Sequence, residues 1–391
     1  MSDPRLQNEY PSERITPPCL VLCGIFMLIL GFIPALSGNL TQIFRPLFIL
    51  VCLLFPARRY VLRSEKWQFV LLLYWLFILL LNPITASSVK YYLALVLFAI
   101  FSVLASSRVW GKREIKFLLN TAVASALILS VILIYSNNGL INAGSEMRVS
   151  FLSHTCNRNT VAFGCVPGVL CAAIGIVYEK RRPLYRLVYF AIAAMGTFTV
   201  FALACRSAFV SLVLGIVLIV WQATNDIKGQ QKRLFVKISI VLVALLVVQA
   251  AYVLAQGTNS ERLFDLNDDS GRGRLWDKAW DMIDENPVFG GGFDYWGDNS
   301  GESLGTHNTF LTVMVMSGYV GGILFALFLI AVFLDLLGVR NLIPLAFLME
   351  LLMHSYTESG MDYYAYIPLI LALVLARYIS YQSDDITSLF R

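Results

Sequence analysis

The chain has 391 residues, of which 58% are hydrophobic and only 14% charged, with a mean hydropathy of +0.70. A soluble domain carries about 25% charged residues, so a water-soluble core is excluded as the organising principle. The net charge of +5 does not point to nucleic acid, because the basic residues fall in short connections that alternate along the chain, the pattern that sets membrane topology.

The first 18 residues are polar, with Pro4, Pro11, Pro17 and Pro18, and read as a cytoplasmic tail. Apolar runs of about 17 to 25 residues then recur, each long enough to cross a bilayer. The first runs from Cys19 to Leu36, and a Ser37-Gly38-Asn39 turn leads to a second ending near Phe55. The basic loop Pro56 to Lys66 follows. Spans at 67–81 and 91–105 are joined by Asn82-Pro83, and Arg108, Lys112, Arg113 and Lys116 come next. A fifth span ends near Tyr135, and a sixth covers 160–178 before Lys180, Arg181 and Arg182. The seventh and eighth meet at Ala204-Cys205-Arg206-Ser207, and the ninth, 234–255, follows Lys228, Lys232 and Arg233. A tenth ends near Leu337, followed by 343–353 and 365–381.

The expected fold is an all-α polytopic membrane protein of about twelve transmembrane helices, with a large outer-face loop between helices nine and ten. Every second connection is basic, which places those connections and both termini in the cytoplasm. The expected divisions are a tail at 1–18, helices one to nine over 19–255, an extracytoplasmic loop at 256–307, helices ten to twelve over 308–381, and a second tail at 382–391. Of the seven cysteines, Cys19, Cys23, Cys52, Cys165 and Cys171 lie in apolar runs and read as small buried hydrophobes, while Cys156 and Cys205 fall near outer loops, with a disulfide between them left open.

Residues 256–307 hold eleven acidic and four basic residues, opposite in balance to the cytoplasmic loops. Within them Leu275 to Glu285 reads as an amphipathic helix with Leu275, Trp276, Ala279, Trp280 and Ile283 on one face, stopped by Asn286-Pro287. Such a helix can lie in the outer interface as a lid. Sugar stacking by Trp276 and Trp280 is the lesser reading. Gly290-Gly291-Gly292 permits a tight turn but lacks the lysine of a nucleotide loop.

The three histidines, His154, His307 and His354, all fall on the outer side, where a neutral imidazole can serve as a general base. Their spacing matches no zinc motif, so neither metal nor cofactor is expected. Arg206, between two apolar runs, faces a polar cavity or snorkels to the interface. Arg206, Arg272 and Arg274 have the planar donors that suit phosphate, although Arg274 could equally pair with the loop's own acids. The set describes an outer cavity with a base, arginines and an apolar lid. A substrate combining lipid, phosphate and hydroxylated groups fits it; composition leaves a carrier of an anionic solute open.

The order Arg272, Trp276, Asn286-Pro287, Gly290 to Gly292, His307-Asn308-Thr309-Phe310-Leu311 and Gly318-Tyr319-Val320-Gly321 resembles the C-terminal signature of the bacterial O-antigen ligase and polymerase family. That family carries a Ser-Arg pair at the end of an earlier helix; here Cys205-Arg206-Ser207 matches at the arginine and not at the preceding serine. An asparagine opening a span after a polar outer loop resembles Asn157-Arg158-Asn159, with Asn159 the better-spaced equivalent. The motif-bearing likeness covers residues 148 to 325.

The resemblance implies a metal-independent glycosyltransferase with a helical GT-C-like fold, facing the periplasm from the bacterial inner membrane. Its donor is a glycan on undecaprenyl diphosphate. Its acceptor is another lipid-linked repeat unit for a polymerase, or lipid A core for a ligase, and the polymerase is the preferred expectation. Membrane lipids surround it, a chain-length regulator protein is a further candidate partner, and nucleic acid is not one. Carried over, Arg206 and Arg272 would bind the diphosphate and stabilise it as it leaves, and His307 would activate the acceptor hydroxyl. Asn159 and Asn308 would support them. Arg148, Arg158, Arg274, His354 and Glu358 are cavity candidates.

Overall fold

The computed structural model describes residues 15–55, 66–81, 88–140, 148–152, 154–256, 258, 261–265, 271–302, 305–358, 366–382 and 386–390. Most of the Pro56 to Lys66 loop, Asn82-Pro83, Gly257, Asn259 and 359–363 lie outside the described residues, as do most of the N-terminal tail and part of the C-terminal one.

The described residues are almost wholly helical. In order come α1 (Pro17–Phe26, continued by a π turn Met27–Gly31), α2 (Ile33–Leu54), α3 (Lys66–Leu81), α4 (Ser88–Ser107) and α5 (Lys112–Ser136). A two-stranded antiparallel hairpin, β1 (Arg148–Phe151) and β2 (His154–Asn157), precedes α6 (Arg158–Tyr178). Then follow α7 (Pro183–Ala202), α8 (Arg206–Ala223), α9 (Gln230–Ala255), α10 (Arg272–Glu285), α11 (Tyr295–Asn299), α12 (Thr309–Gly338), α13 (Ile343–Thr357) and α14 (Tyr366–Gln382).

Among the described residues six helices are long and apolar enough to cross a membrane: α5 to α9 and α12. Shorter apolar helices lie at five of the other expected span positions, in α1 to α4 and α14, whereas α13 at the expected eleventh position is not one of them. Among the described residues the architecture is that of a helical membrane protein with one small hairpin.

One expected boundary moves. The chain does not turn at Ser37-Gly38-Asn39; those residues continue α2, and the break lies at Phe32, whose φ is −131°. Pro34 explains it. Its ring fixes a helical φ and removes an N–H, which suits a helix's first turn and interrupts a helix arriving from before it.

At the centre stands α6, apolar on every side and therefore buried on every side. It is flanked by α5, α7, α8 and α13. Gly168 lets the backbone of α5 at Ala122 come against it, where any Cβ would collide; small residues serve helix contacts inside membranes in this way. In contrast α9 is nearly all exposed along its apolar length. On the opposite side from the long polar stretch, Arg108 and Glu114 form a buried ion pair at 3.0 Å, and Thr16 hydrogen-bonds both. This pins the start of α1 beside the N-terminus of α5.

The polar stretch 256–307 is more ordered than a loop. Its helix α10 begins at Arg272, three residues before the expected start, behind Gly271 in the left-handed region at φ 73°. The buried face is Leu275, Ala279, Met282 and Ile283, the last three packed with Leu311 and Val315 of α12. Trp280 is not on it: the ring stands out at 44% exposure, and Met282 fills the expected place.

After α10 the chain crosses α12 where that helix breaks. Gly318 has φ 61° and ψ −167° inside it, a conformation only glycine adopts readily. The backbone groups freed by the break are taken up by the crossing segment. Tyr319 N–H donates to the Pro287 carbonyl at 2.7 Å, and Gly291 N–H donates to Val315 at 3.0 Å. At both Gly290 and Gly318 a Cβ would strike the other strand's backbone. The Asn-Pro, triple-glycine and Gly318 motifs are thus parts of one backbone crossing.

Candidate functional site

Four helix ends converge on one carboxylate. Asn159 lies in the first turn of α6, which Asn157 caps by accepting the Asn159 N–H at 2.8 Å. Arg272 is the first residue of α10, and His307 immediately precedes the N-cap of α12. Glu358 follows the last residue of α13, its N–H donating to the His354 carbonyl at 2.9 Å. The Glu358 side chain then gathers the others. His307 Nδ1 lies 3.0 Å from Oε2, Asn159 Nδ2 donates to Oε1 at 2.9 Å, and Arg272 Nη2 stands 3.4 Å from Oε1. Thr309 Oγ1 donates to the Glu358 carbonyl at 2.9 Å.

Burial alone would push this carboxyl up, but the hydrogen bond and charge of His307, the charge of Arg272 and the Asn159 hydrogen bond outweigh it. The group is held below its ordinary range. With Glu358 ionised, the imidazole Nδ1–H donates to it and leaves Nε2 as the acceptor.

Beside this cluster is a cavity of about 280 Å³ whose walls include Arg158, Asn159, Arg206, Ser207, Arg272 and Tyr356. Arg206 opens α8, and its guanidinium donates to the Asp265 carbonyl. Three arginines, Arg158, Arg206 and Arg272, therefore share one cavity with Asn159, and the His307–Glu358 pair stands beside it. The backbone is strained at two places around the site: Ala204 and His307 both have φ 49°. Non-glycine residues held there cost about 1–3 kcal/mol, and such residues cluster at functional sites.

His307 is fixed from both sides. Asn308 caps α12 through its Oδ1, which accepts the Leu311 N–H at 3.1 Å, so its side chain is committed to the helix. Trp276 Nε1 donates to the Thr306 carbonyl at 3.0 Å, and its ring meets Tyr356 edge-on at 5.6 Å.

The remaining sequence candidates are dispersed. Arg274 points outward and pairs with Glu302. Arg148 is exposed on β1 and sits in register with Asn157. Trp280 is solvent-exposed. His154 is exposed at the tip of β2, and His354 is buried under Phe163 with ring centroids 4.4 Å apart, so the three histidines do not meet. All seven cysteines are free, Cys156 and Cys205 included.

Glu358 had only a minor place in the sequence reading. The signal for it was electrostatic: Arg206, Arg272 and His307 on one face need a counter-charge, and the connection after residue 354 offers only Glu358 and Asp362.

Residues 190–326 match the family model described as O-antigen ligase. The matched stretch spans α7 through the first half of α12 and contains Arg206, Arg272 and His307. The match supports the O-antigen ligase/polymerase family and indicates ligase- or polymerase-type activity. No curated protein matches the chain.

Proposed function

We propose that the chain is a metal-independent glycosyltransferase that moves glycan from a polyprenyl diphosphate to a sugar hydroxyl at the outer face of the membrane. In this reading α10, α11 and the crossing segment form the extracytoplasmic working part, and the helices on either side make about twelve crossings. The observation that carries the proposal is the Glu358 carboxylate, which joins His307, Arg272 and Asn159 beside a cavity lined by Arg206.

The chemistry follows from the atoms present. Glu358 holds Nδ1–H, so Nε2 of His307 accepts the proton of the acceptor hydroxyl. The acceptor oxygen attacks the anomeric carbon as the bond from that carbon to the diphosphate oxygen breaks. Negative charge gathers on the departing diphosphate, where the fixed guanidinium groups of Arg206 and Arg272 stabilise it. The imidazolium formed is stabilised by Glu358.

Polymerisation of lipid-linked repeat units is the reading we prefer, with Gly290 to His307 as its motif-bearing segment. Ligation to lipid A core is the second reading, favoured by the description of the matching family model. A gel profile of polysaccharide from a strain lacking the gene separates them. Loss of long chains with single repeats still on the core means polymerase. Bare core with long glycan on the lipid carrier means ligase, and an unchanged profile under expressing conditions removes both. His307→Ala, Arg206→Ala and Arg272→Ala should each abolish product while the protein still reaches the membrane.

A further inference from the structure

We infer that Tyr356, backed by Trp276, forms an acceptor-sugar subsite; the inference rests on the glycosyltransferase reading. Tyr356 lines the cavity and is half exposed. It lies two residues before Glu358, and no described residue hydrogen-bonds its hydroxyl. Its ring is nonetheless fixed. Trp276 meets it edge-on at 5.6 Å, and the indole N–H is anchored to the Thr306 carbonyl at 3.0 Å, one residue before His307. Trp276 is also four residues beyond Arg272, on the same face of α10.

The aromatic corner is therefore joined to three elements of the site: the helix of Arg272, the loop of His307 and the helix of Glu358. The arginines mark where the diphosphate sits, so the wall formed by Tyr356 belongs to the other substrate. A rigid ring with one wet polar end and one apolar face suits a pyranose. The C–H face of the sugar lies on the ring, and the phenol hydroxyl reaches a sugar hydroxyl. The ligand class is an acceptor hexose with an unsubstituted apolar face, presented with one hydroxyl toward His307.

The test is a kinetic split with purified full-length protein in nanodiscs. The donor is the lipid-linked repeat extracted from the host membrane. The acceptor is either the same repeat released from lipid by mild acid, which can no longer donate, or acid-released core oligosaccharide. Tyr356→Leu keeps bulk and removes the ring; Tyr356→Phe keeps the ring and removes the hydroxyl. Tyr356→Leu should raise the acceptor KM roughly tenfold, the scale of one lost aromatic contact, with the donor KM unmoved. Tyr356→Phe should give a smaller rise. An unchanged acceptor KM in Tyr356→Leu, or a rise in donor KM instead, overturns the subsite and leaves the glycosyltransferase reading standing. Wild-type protein inert with both acceptors overturns that reading and the subsite with it.

Discussion

Glu358 uses its two oxygens for different ends, Oε2 toward the imidazole and Oε1 toward Arg272 and Asn159. Its replacement is therefore more informative than that of any one partner. Glu358→Gln keeps the shape but lets the amide donate where Nδ1–H needs an acceptor. Activity should fall by about 100-fold or more, the range of a lost general base, as read by the rate of glycan transfer. His307→Ala combined with Glu358→Gln should be hardly worse than His307→Ala alone, because residues acting as a unit are not additive; a multiplicative loss would separate the pair. The pH dependence has a definite sign. The folded carboxyl is held below its ordinary 4.5, so on acidification the unfolded chain takes up the proton first. The stabilisation it provides is full above that value and is lost as pH falls below it toward the folded value. Thermal melts in detergent should show wild type above Glu358→Gln near neutrality, with the gap closing below pH 4.5. A gap that stays constant down to pH 3 would refute an ionised Glu358.

The break in α12 explains the pattern of glycines and the one Asn-Pro pair, which serve a backbone crossing and not the charged site. Hydropathy reads residues 309 to 338 as one continuous span, and only backbone geometry reveals that Gly318 interrupts it and that 287–292 repairs the interruption. The amphipathic reading of α10 found Leu275, Ala279 and Ile283 because a 3.6-residue period is written in side chains. It misplaced Trp280 because a tryptophan scores as apolar whether or not a partner waits for it; Met282, one position from the next apolar residue, takes the packing instead. The start of α10 was missed for a related reason, since Gly271 enters in the left-handed region and leaves no side-chain cap to recognise. Gly318→Ala and Gly290→Ala each put a Cβ into backbone at a positive φ, which costs about 1–3 kcal/mol from the conformation alone. Both should lower the melting temperature and reduce transfer although neither residue lines the cavity. Gly338→Ala, in open space on the same helix, should do neither, and equal losses at all three positions would argue against the crossing as a specific support.

For the whole molecule, the positions of the helices were legible because lipid demands long apolar runs with all backbone bonds satisfied internally. The convergence of Asn159, Arg272, His307 and Glu358 was not, since it depends on how four helix ends from distant parts of the chain are stacked around α6. Orientation is a separate question: from the alternating basic connections we propose that the cavity opens outward and that the connections around Arg113 and Lys232 are cytoplasmic. All seven native cysteines are buried, so single introduced thiols can report topology against a low background. In intact cells a membrane-impermeant maleimide should label Asp298→Cys, on the exposed face of α11, and should reach Arg113→Cys and Lys232→Cys only after permeabilisation. The opposite pattern would put the Arg206, Arg272 and His307 cavity on the cytoplasmic side. There a polar stretch with eleven acids and four basic residues would break the charge rule that organises the rest of the chain, and the proposed reaction on an outward-facing lipid-linked glycan could not take place.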